Sequence, residues 1–312
     1  MVPRSGGRFP HKRIVSAEGR VRMKVLILGS TGLLGYALLR RLACANGIEV
    51  VGSIRCFDGS PQIATEVRSR LVQVGDLTDL TELNLLFEQV QPNVVVNCVA
   101  AAKSEWSDLR RMVAVFSRLP RGIDWLCAKS GARFIQISSD GVFSGSRGDY
   151  TEQDMPDATD NYGMVKQLGE TARSGSLNIR TSMIGHTLSG NAGLVDWFLA
   201  QNEACRGFSK SVFSGLTNVE IARVTERIIL DWPHLDGTYH LASEPISKYD
   251  LLKMIAQRYG KRIDIVADDS LAIDRSLVAE KFRLATGYRA RGWIELIDEL
   301  YVDNQIHAST TN

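Results

Sequence analysis

The sequence predicts an α/β fold: a doubly wound parallel sheet followed by a smaller mixed lobe. Three observations carry the prediction. Short aliphatic runs recur through the first half, at residues 25–28, 50–51, 72–74, 94–96 and 134–137, and unbroken apolar strands belong to sheets covered on both faces. Stretches with apolar residues at helical spacing separate most of these runs, as crossovers between parallel strands require. Past each run the residues turn to glycine, polar or small types, and ligands of such sheets gather beyond the carboxyl ends of the strands.

Taken in order, a strand over 24–28 ends at Gly29, and Gly29, Gly32 and Gly35 punctuate the turn into a helix that opens with Leu33 and Leu34. A dinucleotide pyrophosphate needs this arrangement. The glycines bring backbone close to the phosphates, and the new helix offers free N–H groups and a partial positive charge. The turn is therefore read as Rossmann-type, with Gly29, Ser30, Thr31, Gly32, Leu33, Leu34 and Gly35 as dinucleotide-binding candidates. A second strand, 49–55, ends in Ser53 and Arg55 where an acid would bond the 2′-hydroxyl of NAD. Arg55 suits a 2′-phosphate, so NADP(H) is expected ahead of NAD(H). A third strand, 72–74, leads to Asp76 and Leu77, read as an adenine contact and its apolar support, while Asp76 and Asp79 compete to cap a helix over 80–90. The fourth strand, 92–101, ends in Ala100 and Ala101, small enough for a cofactor to lie against. A helical stretch over 112–130, broken early by Pro120, precedes a fifth strand that runs from Arg133 into Ser139 and Asp140. The second half reads as a strand over 177–182, helices over 193–201 and 219–230, a short strand over 238–241, and a helix over 248–259 capped by Ser247.

Composition narrows the function classes. A chain of 312 residues, 44% hydrophobic and 23% charged, is long enough for a large core. Its formal charge of +2 gives no concentrated basic face for a nucleic-acid polymer. No apolar run approaches the ~20 residues that cross a bilayer. The five cysteines are scattered in no metal or disulfide pattern, which points to a reducing cytoplasm, and the five histidines have no carboxylates at ligand spacing, so no metal is expected. Residues 1–22, rich in arginine with Pro3 and Pro10, are read as a disordered extension ahead of Met23. The expected divisions are a dinucleotide-binding domain over 23–180, a substrate lobe over 181–302 with some elements returning to the first domain, and a tail over 303–312.

Chemistry enters with Tyr162 and Lys166, four residues apart and so on one helix face. A tyrosine is a poor acid near neutrality, with an ordinary pKa of about 10. A nearby ammonium stabilises the phenolate and makes proton exchange with a carbonyl oxygen feasible, and Lys166 also suits the ribose hydroxyls of a nicotinamide cofactor. Ser139, at the end of the fifth strand, is placed to donate a hydrogen bond to the same carbonyl oxygen. Together they describe reduction of a carbonyl, or its reverse.

These stretches resemble the dTDP-4-dehydrorhamnose reductase family, extended short-chain dehydrogenases acting on nucleotide-activated sugars. The resemblance rests on Gly29-x-x-Gly32-x-x-Gly35, on Ile137-Ser138-Ser139-Asp140 with Val142, Phe143 and Gly145, on Tyr162-Gly163-x-x-Lys166, and on Ile179-Arg180-Thr181-Ser182; it spans roughly 23–300. It implies Ser139, Tyr162 and Lys166 as catalytic residues, hydride delivery from NADPH or NADH to C4 of a 4-keto-6-deoxy sugar nucleotide, and Tyr162 as the proton donor. It also implies substrate contacts at Ser139, Asp140, Val142 and Phe143. Trp197, Phe208 and Arg275 are read as further contacts, the aromatics for a base or sugar face and the arginine for a diphosphate. The chain departs from the family pattern at Gly141, where a tyrosine or cysteine is usual, at Phe116, where many relatives carry an asparagine, and at residues 213–217. A sugar-nucleotide epimerase or dehydratase of the same superfamily is the alternative enzyme. The alternative outside catalysis is a binding subunit, since the regulatory subunit of methionine adenosyltransferase resembles the same family. A homodimer is left open.

Overall fold

Val25, Leu26, Ile27 and Leu28 are all fully buried, because the strand they build is covered on both faces. Alternation sorts them: Val25 and Ile27 enter one core, Leu26 and Leu28 the other. The computed structural model describes Ile14–Val15 and residues 21–57, 63–188 and 193–310. Its main sheet contains β1 (Val21–Leu28), β2 (Ile48–Ile54), β3 (Leu71–Gln73), β4 (Val94–Asn97), β5 (Arg133–Ile137), β6 (Ser176–Arg180) and β7 (Gly237–His240). They lie in the order β7-β6-β5-β4-β1-β2-β3, every pair along this path parallel. Strand order reverses between β1 and β4, which opens a crevice at their carboxyl ends.

Helices cover both faces. On one side α1 (Leu33–Ala43) packs with α7 (Asn218–Leu230). On the other lie α2 (Leu80–Val90) and α4 (Leu119–Ser130), which supply Leu83, Leu86, Ile123 and Leu126 to the second core. Asp79 caps α2 by accepting from Thr81 N–H at 2.8 Å, which settles the competition with Asp76. Ser247 caps α8 (Lys248–Tyr259) in the same way, accepting from Asp250 N–H at 3.0 Å. The break expected at Pro120 falls one turn earlier. α3 (Leu109–Val113) passes through a π-helical turn, Ala114–Arg118, directly into α4, where Pro120 sits in the first turn and needs no N–H donor.

The second half forms the smaller mixed lobe. Ser211–Phe213 pairs antiparallel with Ile246–Ser247 and parallel with Ile273–Asp274, and Cys205–Phe208 pairs with Ile265–Asp268. β7 leaves the lobe and completes the main sheet beside β6. The last helix, α9 (Trp293–Thr310), runs through the boundary expected at 302/303, its first turns anchored by the buried Trp293, Leu296, Ile297 and Leu300. Most of residues 1–22, read as an extension, lies outside the described residues; within it Ile14–Val15 pairs antiparallel with the start of β1.

At the end of β7, His240 is fully buried and packs edge-on to Phe143, with Nδ1 on the Tyr150 carbonyl at 3.1 Å. Burial, helped by the Arg180 charge, pushes its pKa down to about 3 from 6.5. The unfolded chain therefore binds a proton between those values that the folded chain refuses, so stability is full above pH 6.5 and declines as pH falls toward 3. A decline of up to roughly 1.4 kcal/mol per pH unit is expected from this residue, and His240→Gln should flatten that limb in pH-dependent denaturant titrations.

Candidate active site

The glycine turn is built by close approach. Gly29 takes φ +76°, and a Cβ there would meet the Val99 backbone at 2.9 Å. A Cβ on Gly35 would stand 2.1 Å from the Gly29 carbonyl oxygen, so α1 can leave β1 this tightly only with glycine at 35. Ser30 turns inward, donating to the Ser53 carbonyl at 2.6 Å, and Ser53 Oγ accepts from Gly29 N–H at 3.1 Å, which pins the turn to β2. Asn218 donates to the Leu33 carbonyl at 2.9 Å and ties the turn to α7. Gly32, the N-cap of α1, is exposed and no side chain caps the helix. The start of α1 thus keeps N–H groups with no side-chain acceptor beside an exposed glycine, the cradle an anionic diphosphate fits. Gly35→Ala is expected to destabilise by about 1–3 kcal/mol, since the contacting atoms are backbone, and to weaken dinucleotide binding; thermal unfolding with and without NADPH measures both.

The remaining cofactor candidates lie along the same edge. Arg55 is exposed just past β2, with no acid beside it in sequence. Ala100 is exposed and Ala101 buried beyond β4. Leu77 is buried, whereas Asp76 is exposed, accepts from Thr78 and holds Arg111 in a 2.7 Å ion pair. Any adenine contact made by Asp76 therefore shares the carboxylate with Arg111, a residue the sequence reading did not single out.

Ser139, Tyr162 and Lys166 converge from two elements. Ser139 follows β5 and caps a short 3-10 turn, Asp140–Val142, accepting from Gly141 N–H at 2.9 Å. Tyr162 and Lys166 belong to α5 (Asn161–Leu168), whose N-cap Asp160 accepts from Gly163 N–H at 2.8 Å. The Ser139 side chain and the Tyr162 ring come together beside Gly141, where an added Cβ would stand 3.2 Å from Ser139 Oγ and 2.9 Å from the ring. Lys166 Nζ donates to the Ile137 carbonyl at 2.8 Å, from the strand that delivers Ser139. Burial pushes this amine down to about 8, against the nearby Glu170 carboxylate that supports its charge. The expected acidification of the phenol is corrected: burial pushes Tyr162 up to about 12, with the Ser139 side chain pulling the other way. In the ligand-free chain Lys166 is engaged by backbone, and Tyr162 holds its proton.

Three aromatic or small neighbours define the Tyr162 ring. Trp106 stacks on it, centroids 4.6 Å apart and planes 15° off parallel. Phe116 meets it edge-on at 5.4 Å, and Gly141 lies so close that an added Cβ would stand 2.9 Å from the ring. Neither the Trp106 contact nor the Gly141 contact follows from sequence spacing.

The predicted substrate residues divide. Asp140 is buried, hydrogen-bonded by Ser139 at 3.1 Å, and its carboxyl is pushed up by burial against the pull of Lys248 and Arg275. Arg275 reaches the site from the lobe, pairing with Asp160 at 3.1 Å; Lys248, which the sequence reading missed, joins it from the start of α8. Val142 and Phe143 are corrected. Both are fully buried with Tyr150, Ala242 and Leu277, Phe143 stacking on Tyr150 at 4.2 Å, so they support the site from behind and offer no surface to a ligand. Trp197 is 40% exposed on α6 (Leu194–Leu199), where the adjacent Asp196 holds His186 at 2.6 Å. Phe208 lies half-buried on a lobe strand.

Comparison with known proteins agrees with this fold. A family model described as the RmlD substrate binding domain matches residues 23–281. The methionine adenosyltransferase 2 subunit beta of Rattus norvegicus is 34% identical over 263 residues, covering 76% of this chain and 72% of that one. Among solved structures, a dTDP-4-dehydrorhamnose reductase from Clostridium acetobutylicum superposes with a TM-score of 0.75 at 24% identity, covering 91% of this chain and 100% of that one. A dTDP-4-dehydrorhamnose reductase from Bacillus anthracis, solved with NADP, superposes with a TM-score of 0.77 at 18% identity, covering 91% and 100%. The chain belongs to the RmlD substrate-binding-domain family, within the extended short-chain dehydrogenase/reductase fold.

Proposed function

We propose that this protein reduces the 4-keto group of a nucleotide-activated 4-keto-6-deoxy sugar, using a nicotinamide dinucleotide as hydride source. One observation carries the reading: Ser139 Oγ and the Tyr162 ring both border Gly141, just past the carboxyl end of β5, on the edge that also carries the uncapped glycine turn. Gly29, Gly32 and the first N–H groups of α1 would hold the diphosphate, Ala100 and Ala101 would border the crevice, and Lys166 would reach the nicotinamide ribose. The cofactor, when bound, supplies hydride.

The chain's own residues do the rest. Ser139 donates to the ketone oxygen and holds it near Tyr162, and Tyr162 gives its phenolic proton to that oxygen as negative charge builds there. A phenol kept protonated is the form this direction requires. Arg275 and Lys248, on the lobe side, supply positive charge for the diphosphate of the sugar nucleotide. Exposed Arg55, with no acid beside it, supports NADP(H) over NAD(H).

A second reading has its own observation. The 34% identical relative is named as a subunit of methionine adenosyltransferase, and Trp106 covers the Tyr162 ring. On this reading the chain binds a catalytic partner. NADPH mixed with a panel of dTDP- and UDP-linked 4-keto-6-deoxy sugars separates the two. Loss of NADPH absorbance with formation of the 4-hydroxy sugar supports the reductase, and no oxidation across the panel favours the binding subunit. The reductase reading also carries the expectation of a cytoplasmic protein; no described helix is long and apolar enough to cross a membrane, and the described cysteines are free thiols.

A further inference from the structure

Trp106 is 37% exposed, yet its position is fixed from both sides. Its Nε1–H donates to the Ala101 carbonyl at 3.3 Å. Glu105, next to it, accepts from Ala102 N–H at 2.8 Å and closes residues 102–105 into a tight strap. Asp108 N–H donates to the Glu105 carbonyl at 3.0 Å, and the Asp108 side chain caps α3 at Arg110 and Arg111. Arg111 then reaches back, pairing with Glu105 at 3.3 Å and with Asp76 at 2.7 Å. One guanidinium therefore links the strap carrying Trp106 to the end of β3, across the crevice between β1 and β4. At its other end the strap lays an indole on the phenol ring that borders Gly141 together with Ser139 Oγ. Gly141 leaves room for the Tyr162 ring to lie this deep, and Phe116 stops it edge-on.

We propose that Trp106 is a positioning residue that holds the Tyr162 ring toward Ser139, and that Glu105, Arg111 and Asp76 couple its placement to occupancy of the dinucleotide crevice. This rests on reading the crevice as a dinucleotide site. An adenosine moiety arriving at Asp76 competes for the carboxylate that Arg111 holds; the Arg111–Glu105 pair then loses its tie to the end of β3, and the strap with its indole shifts. Dinucleotide binding at one end of the crevice is thereby felt by the proton donor at the other.

Near-ultraviolet circular dichroism of the full chain tests this, because a stacked indole and phenol give a signature that the wild type minus Trp106→Phe difference isolates. NADPH should change that difference signal. In Arg111→Met the free protein should already show a displaced signal, close to that of NADPH-bound wild type, and the NADPH-induced change should shrink by about half or more. With a turnover substrate, Trp106→Leu should lower kcat about tenfold with little change in KM, and Trp106→Phe, which keeps a stacked ring, should recover most of it. Calorimetry reports NADPH binding independently. Binding with an unaltered difference signal, or an undiminished response in Arg111→Met, overturns the coupling; equal kcat for Trp106→Leu and wild type overturns the positioning. No heat of NADPH binding in wild type removes the dinucleotide reading itself, and the coupling with it.

Discussion

Tyr162→Phe is expected to slow ketone reduction by about 10²–10⁴-fold, the usual contribution of a positioned general acid. The substitution is nearly isosteric. The ring keeps its stack against Trp106 and its edge contact with Phe116, so the pocket should retain its shape. What is lost is the phenolic proton donor. Because the pyrophosphate candidates lie on the glycine turn, NADPH affinity measured by calorimetry should change by only a few-fold while turnover collapses. Ser139→Ala should fall less far, since the phenol still delivers its proton to a carbonyl held less well. A Tyr162→Phe variant turning over as fast as the parent would leave the proposed chemistry without its acid. The direction of the phenol's shift matters to this argument: burial raises the Tyr162 pKa, so the phenol stays protonated near neutrality.

How much of this was legible beforehand depends on the kind of constraint. Gly29 and Gly35 are readable because a positive φ and a 2.1 Å approach leave no other residue type comfortable there, so the requirement is written into composition. Tyr162 and Lys166 are readable because four residues on a helix fix a common face. Ser139 is readable because a strand's carboxyl end is known once its aliphatic run is known. The misreadings arose where a side chain's direction depends on how the chain turns after leaving an element. Val142 and Phe143 follow Ser139 closely, but the 3-10 turn rotates them into a buried cluster with Tyr150. Lys166 shares a face with Tyr162, yet its ammonium goes to the Ile137 carbonyl, and burial rather than charge decides the phenol. Trp106 could not be found from spacing at all: its stack on Tyr162 depends on a strap whose course is set by Glu105, Asp108 and Arg111. The π turn at Ala114–Arg118 is equally silent, since its residues look helical, and it carries Phe116 to the edge of the Tyr162 ring.

Glu170→Ala is expected to cost about 3–5 kcal/mol, the range for breaking a buried ion pair by removing one partner. Glu170 follows α5 and is 11% exposed; Arg180, at the end of β6, is 7% exposed. The two are joined by paired bonds of 2.8 and 2.7 Å, and Ser138 donates to the same carboxylate at 2.7 Å. Alanine leaves a guanidinium at the carboxyl end of β6 with, among the described residues, only the Phe143 ring, 5.2 Å away, to face its charge, and an unpaired Ser138 hydroxyl next to Ser139. Denaturant titration should show the midpoint fall with little change in slope. Glu170→Ala combined with Arg180→Met should recover part of the loss, because no charge then remains buried; a pair without net coupling would instead give additive losses. The same carboxylate supports the charge on Lys166, which burial pushes down to about 8. Removing it takes away a favourable field on the ammonium, so the Lys166 pKa falls further and the basic limb of kcat/KM, which follows the free protein, moves to lower pH. Glu170→Gln separates the two effects: it keeps hydrogen-bonding capacity toward Arg180 and Ser138, so its stability loss is smaller than that of alanine although the guanidinium charge is still uncompensated, while it moves the basic limb in the same direction. Stability loss and limb displacement travelling together in both variants would mean that Glu170 acts on the site only by holding the fold.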